Sequence, residues 1–110
     1  MGDTEFQKRV YEALMLVPRG YVTTYKALAA AVGCGSPRAV GQALKRNPYA
    51  PEVPCHRVIA SDLSIGGFQG ASAGARISKK QAMLEAEGVH FVDGRLSTPD
   101  QCFRFSDASR

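Results

Sequence analysis

Cysteine and histidine are scarce in this chain of 110 residues, which holds three of the first and two of the second. Cys34, Cys55 and Cys102 are odd in number and widely spaced, no CxxC pair occurs, and the two histidines stand far apart. That excludes a disulfide framework and a zinc site, and no metal or other cofactor is expected. No apolar run approaches the roughly 20 residues that span a bilayer. The opening Met1-Gly2-Asp3-Thr4-Glu5 lacks the basic start and apolar centre of a signal peptide. The expectation is an intracellular protein with no membrane partner, in cytoplasm or nucleus. Repeats and low-complexity segments are absent as well.

Acidic residues nearly vanish from the middle of the chain. Between Arg19 and Arg57 six basic residues (Arg19, Lys26, Arg38, Lys45, Arg46, Arg57) face one acidic residue, Glu52. This segment alone carries +5, and the flanks together −1, within a net charge of +4. A basic concentration of this kind points to a polyanionic partner, most often nucleic acid. The hydrophobic content of 45% and charged content of 22% are those of an ordinary globular domain, and the length allows one core.

Local signals give a mainly α fold. Asp3 or Thr4 caps a first helix, with Gln7 completing a capping box from Thr4. Phe6, Val10, Ala13, Leu14 and Val17 recur at helical spacing, and Pro18-Arg19-Gly20 stops the run. After an extended Tyr21-Val22-Thr23, a cap at Thr23 or Thr24 starts a second helix over Tyr25 to Val32. Gly33-Cys34-Gly35 makes the turn, and Ser36-Pro37 opens a third helix to Arg46. On a wheel, Ala39, Val40, Ala43 and Leu44 share one face, and Arg38, Gln42, Lys45 and Arg46 the other. Helix, glycine turn and basic helix describe a helix-turn-helix. Three prolines lie between Asn47 and Pro54, so that segment is a stiff loop. Val58-Ile59-Ala60 reads as a short strand, Asp62 to Ala71 as a tight hairpin or wing, Ser78 to Glu87 as a fourth helix, and Phe103-Arg104-Phe105 as a terminal strand. The fold expected is a single winged helix-turn-helix-like domain.

Pro54-Cys55-His56-Arg57-Val58 sets a thiol beside its natural proton acceptor. A free cysteine, with a pKa of about 8.5, is nucleophilic only as the thiolate. An imidazole can take its proton, and a positive charge such as Arg57 can hold the anion. Adjacency alone is a weak signal, because neighbours in a strand point to opposite faces.

Val22-Thr23-Thr24-Tyr25, Arg38-Ala39-Val40-Gly41, Asn47-Pro48, Pro54 to Ile59 and Glu85-Ala86-Glu87-Gly88, taken together, closely resemble the DNA-binding domain of the O6-alkylguanine-DNA alkyltransferases. The resemblance runs from about residue 5 to 92, with the motifs in the family's order. It implies double-stranded DNA containing O6-alkylguanine as partner, and a monomer. The alkylated base is flipped out of the duplex, Cys55 attacks the alkyl carbon, and guanine departs as its anion or protonated on leaving. His56 takes the thiol proton through a water, and a glutamate orients the histidine. Glu87 is the better match for that glutamate and Glu85 the fallback. Arg38 matches the arginine that fills the space left by the flipped base. Tyr25 matches a tyrosine that pushes on the phosphate and donates to the guanine ring. Asn47 matches an asparagine tying the helices to the active-site loop. Lys26, Ala39, Gly41, Gln42, Lys45 and Ser61 complete the implied DNA contacts, and Pro54, Val58, Gly66, Gly67, Phe68 and Gln69 the implied base pocket.

Two departures stand out. The family has Ser-Gly-Gly after the pocket aromatic, where this chain has Gln69-Gly70-Ala71, so the substrate oxygen would meet the Gln69 amide or backbone N–H groups. Ser72-Ala73-Gly74-Ala75-Arg76 lengthens the connection to the last helix. The chain also starts at the first helix, a build shared with the alkyltransferase-like proteins, which bind such lesions without repairing them and have another residue at the position of Cys55. The reading is a single-use alkyl acceptor. Alternatives are a lesion-binding sensor, a winged-helix regulator reading sequence through Arg38, Gln42 and Lys45, and a thiol hydrolase. Cys34 and Cys102 are expected to be packing or surface residues.

Overall fold

Each of the first three helices begins on a hydroxyl cap, and these caps set the frame. In the computed structural model, which describes residues 4–47, 49, 52–66 and 74–105, α1 runs Glu5–Leu14. Thr4 Oγ1 accepts from the Gln7 amide at 3.0 Å and Gln7 Oε1 from the Thr4 amide at 2.9 Å. This reciprocal pair satisfies two amides that the first turn leaves without partners. Helix α2 spans Tyr25–Ala31, and of its two candidate caps Thr24 takes the role, accepting from Ala27 N at 3.0 Å. Helix α3, Pro37–Lys45, is capped by Ser36 at 3.2 Å with Pro37 in its first turn.

The three helices pack against one another. Val10 and Leu14 of α1, Leu28 and Ala29 of α2, and Val40, Ala43 and Leu44 of α3 form the main core. Tyr11, which lies off the apolar stripe, is buried too, because its hydroxyl donates to the Ala43 carbonyl at 2.8 Å. A buried hydroxyl left without such a partner costs about 1–3 kcal/mol. Arg38, Gln42, Lys45 and Arg46 are exposed, as the wheel requires, while Ala39 and Gly41 are half-exposed at the border.

The β structure departs from expectation. Thr23–Thr24 (β1) pairs in parallel with Val58–Ile59 (β2), in register Thr23 to Val58. Residues 62–66 of the expected Asp62–Ala71 hairpin form a tight turn, with Leu63 N on Ala60 O and Ala60 N on Ser64 O, and Ser64 bridging Arg95. Residues 67–71 lie outside the described residues. A hairpin occurs later, Phe91–Val92 (β3) against Arg95–Leu96 (β4). Its turn is Asp93-Gly94, both at positive φ (52° and 80°), the conformation that suits a two-residue hairpin.

Helix α4 covers Ala75–Ala86 and starts three residues before the expected Ser78, on Gly74 at φ 86°. Phe103 to Phe105 is no strand. The tail meets the body one residue earlier, where Cys102 bridges Val22 in parallel and Phe103 N donates to Val22 O at 2.6 Å. A second small cluster, Val22, Ile59, Leu84, Val89 and Leu96, joins β1, β2, α4 and the hairpin. No helix among the described residues is long and apolar enough to cross a membrane.

Candidate active site

Cys55 and His56 sit in a one-turn 3₁₀ helix, Cys55–Arg57, between the proline loop and β2. With three residues per turn, neighbouring side chains diverge by about 120° rather than pointing to opposite faces. Both are buried, Cys55 9% and His56 3% exposed. Pro54 is buried at the cap of the turn, and Arg57 N closes it on Pro54 O at 2.9 Å.

Asn47, just past α3, ties this turn to the helices. Its Nδ2 donates to Val53 O at 3.0 Å, its Oδ1 accepts from Tyr49 N at 2.8 Å, and its amide favours the Cys55 thiolate. Burial pushes the Cys55 thiol up, and Asn47 and the charge of Lys80 only partly offset it. The resting thiol therefore keeps its proton at neutral pH and needs a base.

The adjacent histidine is the candidate for it. His56 Nε2 lies 2.9 Å from Glu87 Oε2. Arg57 grips the same carboxylate with Nε on Oε1 at 2.9 Å and Nη2 on Oε2 at 3.0 Å, while its Nη1 donates to Val17 O at 2.9 Å. Burial raises the Glu87 carboxyl, but the bonds from Arg57 and His56 outweigh it and hold the group below its usual range. An ionised carboxylate only accepts, so Nε2 bears the hydrogen and Nδ1 of the neutral ring is the proton acceptor. Burial lowers the His56 pKa and Glu87 offsets part of that. Glu87, rather than the fallback Glu85, is the carboxylate bonded to His56; Glu85 is exposed and accepts from Gln81 at 3.2 Å. Its sequence position suggested Arg57 as the charge that holds the thiolate, but Arg57 instead binds the carboxylate and ties it to Val17, in the segment after α1.

The positive charge facing Cys55 comes from Lys80 of α4, which the sequence reading missed. Its signal was the spacing Ile77, Lys80, Leu84, which sets a lysine within an apolar helix face.

Tyr25, at the first position of α2, is half-buried, and burial followed by the nearby Cys55 raises its pKa, so its hydroxyl keeps its proton at neutral pH. Its ring lies 3.4 Å from where a side chain at Gly66 would begin, and Ala60 N lies 3.1 Å from that point. Only glycine leaves this approach open. Val58 is fully buried beneath the turn. Lys26, Arg38, Gln42, Lys45 and Ser61 are exposed. Gly67, Phe68 and Gln69 lie outside the described residues. The fold therefore brings together Tyr25, Asn47, Pro54, Cys55, His56, Val58, Gly66 and Glu87. An open groove of about 1010 Å³ between the outer side of α2 and the tail, lined by Tyr21, Ala30, Phe103 and Phe105 among others, shares no residue with them. Among the described residues no cluster of three or more His, Cys, Asp or Glu could hold a metal ion.

The model of the family described as "6-O-methylguanine DNA methyltransferase, DNA binding domain" matches residues 5–89. A methylated-DNA–protein-cysteine methyltransferase of Methanothermobacter thermautotrophicus is 48% identical over 88 residues, 80% of this chain and 47% of that protein. Its namesake in Thermococcus kodakarensis is 54% identical over 89 residues, again 80% and 47%. The chain spans about half the length of these curated relatives. Among solved structures, Mycobacterium tuberculosis OGT in complex with DNA superposes with a TM-score of 0.70 at 41% identity, covering 78% of this chain and 51% of that one. S. pombe Atl1, in complex with damaged DNA containing O6-carboxymethylguanine, gives 0.79 at 33% identity, covering 94% and 99%.

Proposed function

The chain belongs to the family of the 6-O-methylguanine DNA methyltransferase DNA-binding domains, and from that membership and its site we propose that it repairs DNA by moving an alkyl group from O6 of guanine to Cys55. The observation that carries this reading is the buried Cys55 beside a histidine whose Nε2 is held 2.9 Å from Glu87. A base oriented by a third group is the arrangement that activates a nucleophile.

In this reading α2 and α3 are the two helices of a helix-turn-helix, and the β3–β4 hairpin is its wing. The exposed Lys26, Arg38, Gln42 and Lys45 meet the duplex with Ser61, and half-exposed Ala39 and Gly41 allow close approach. Arg38 enters the stack as the lesion swings out towards Cys55. His56 accepts the thiol proton at Nδ1, directly or through a water, and Glu87 stabilises the imidazolium. The sulfur lone pair forms the S–C bond as the C–O6 bond breaks, and the electron pair goes to the guanine ring. Tyr25 donates a proton there, so the base leaves neutral, and the proton on His56 restores the tyrosine. Sulfur keeps the alkyl group as a thioether, which does not readily hydrolyse, so each molecule acts once.

One observation favours a second reading, a lesion binder that does not transfer. Atl1 is matched over nearly its whole length. The two differ in outcome on an O6-methylguanine duplex. Transfer predicts that lesion disappears in a burst equal to the protein present, with no further turnover. A sensor would bind the duplex and leave the lesion count unchanged, and that result would overturn the proposal.

A further inference from the structure

Lys80 is fully buried, and among the described residues it is the only lysine that is. Burying an ammonium costs several kcal/mol, so it persists only where partners hold it. Two of its partners are backbone carbonyls. Lys80 Nζ donates to Val58 O at 2.7 Å and to Ile65 O. Val58 opens the strand that leaves the Cys55 turn, and Ile65 directly precedes Gly66, against which the Tyr25 ring lies. One side chain from α4 therefore bridges the two backbone segments beside the thiol.

Its charge also acts on the reacting pair. Lys80 favours the Cys55 thiolate and disfavours the His56 imidazolium, both groups of the 3₁₀ turn, while Tyr25 of α2 faces the same sulfur. Glu87, the nearby carboxylate, is taken up by Arg57 and His56.

We propose that Lys80 is a positioning residue for the acceptor cysteine: it clamps the Val58 and Ile65 carbonyls, fixes the separation between the Cys55 turn and the Gly66 side of the pocket, and points one positive charge at the thiol. Burial lowers Lys80 to about 7 although the nearby Cys55 raises it, so loss of the thiol proton and retention of the lysine proton support each other. A lysine kept only for packing would not need this charge.

The inference rests on the alkyl-acceptor reading, and its test separates the two. Wild type, Lys80→Met and Lys80→Gln are compared for lesion-duplex affinity, single-turnover transfer from an O6-methylguanine duplex, and Cys55 alkylation by iodoacetamide without DNA, from about pH 6 to about pH 9. To isolate Cys55, the three proteins carry Cys34→Ser and Cys102→Ser. The variants are expected to bind within about threefold of wild type and transfer at least about tenfold more slowly, a barrier increase of about 1.4 kcal/mol. Their iodoacetamide profile should shift to higher pH, because the thiolate has lost its charge partner. Either variant transferring at the wild-type rate with an unshifted thiol profile overturns the role of Lys80. If wild type itself transfers nothing, the alkyl-acceptor reading fails, and the iodoacetamide profile still decides whether Lys80 sets the thiol.

Discussion

Replacing Glu87 by glutamine tests the linkage at the centre of the site. The carboxylate accepts three hydrogen bonds, two from Arg57 and one from His56. An amide of the same shape has one acceptor oxygen and one NH₂ group, so at least one donor loses its partner, and the guanidinium loses its counter-charge. The Arg57 side chain is 16% exposed, so part of that charge can turn to water. An unmatched buried donor costs about 1–3 kcal/mol and breaking a fully buried pair about 3–5, which sets Glu87→Gln at about 2–4 kcal/mol. Transfer should fall about 10²- to 10⁴-fold, since the ring can turn its Nε2 to the new NH₂ and lose the Nδ1 base. Urea unfolding at neutral pH measures the first quantity and single-turnover transfer the second. The pH profile adds a sign. The Glu87 pKa is depressed in the fold, so its stabilisation is present above its unfolded value and lost as pH falls through the folded one. His56 is depressed as well, so stability also drops as pH falls below its usual 6.5. The variant should lose the Glu87 stage of this acid weakening and keep the His56 stage. A variant as stable and as fast as wild type would refute the linkage.

Lys80 should make the wild type more stable as pH rises from about 7, where the folded lysine discharges while the unfolded one stays charged, at about 1.4 kcal/mol per pH unit; above about 9 the raised Cys55 and Cys102 oppose this. Urea midpoints of wild type and Lys80→Met at about pH 7 and pH 8.5 check it, and equal slopes would contradict it. Arg38→Ala, at an exposed position of α3, should weaken duplex binding about tenfold and lower the salt dependence by about one unit, with stability changed by less than about 0.5 kcal/mol. Unchanged affinity would remove Arg38 from the interface. Gly66→Ala should cost about 1–3 kcal/mol, because φ is 72° and the added carbon meets Ala60 N at 3.1 Å, and it should slow transfer by displacing Tyr25. Thermal melts and transfer rates together test this.

What the sequence made legible was local. The caps at Thr4 and Ser36 and the two faces of α3 depend on residues a few positions apart, and they fall where spacing puts them. The Asp93-Gly94 turn was equally local, yet the glycines around Phe68 drew the reading away from it. The parallel pair Thr23 to Val58 was not legible, because two-residue strands have no period and their partner lies far along the chain. In the site, Cys55, His56 and Asn47 were readable from motif and Glu87 from its place before Gly88. Arg57 and Lys80 were not, because the roles of their charges depend on what folding buries around them. Adjacency assigned Arg57 to the thiol, whereas the fold gives it to Glu87 and brings Lys80 from α4.

The most direct test of the central claim is peptide mass mapping after incubation with an O6-methylguanine duplex. The alkyl-acceptor account predicts one added methyl group on the peptide containing Cys55, none on those containing Cys34 or Cys102, and none anywhere in Cys55→Ala. Duplex bound tightly by wild type with an unmodified Cys55 peptide would contradict it.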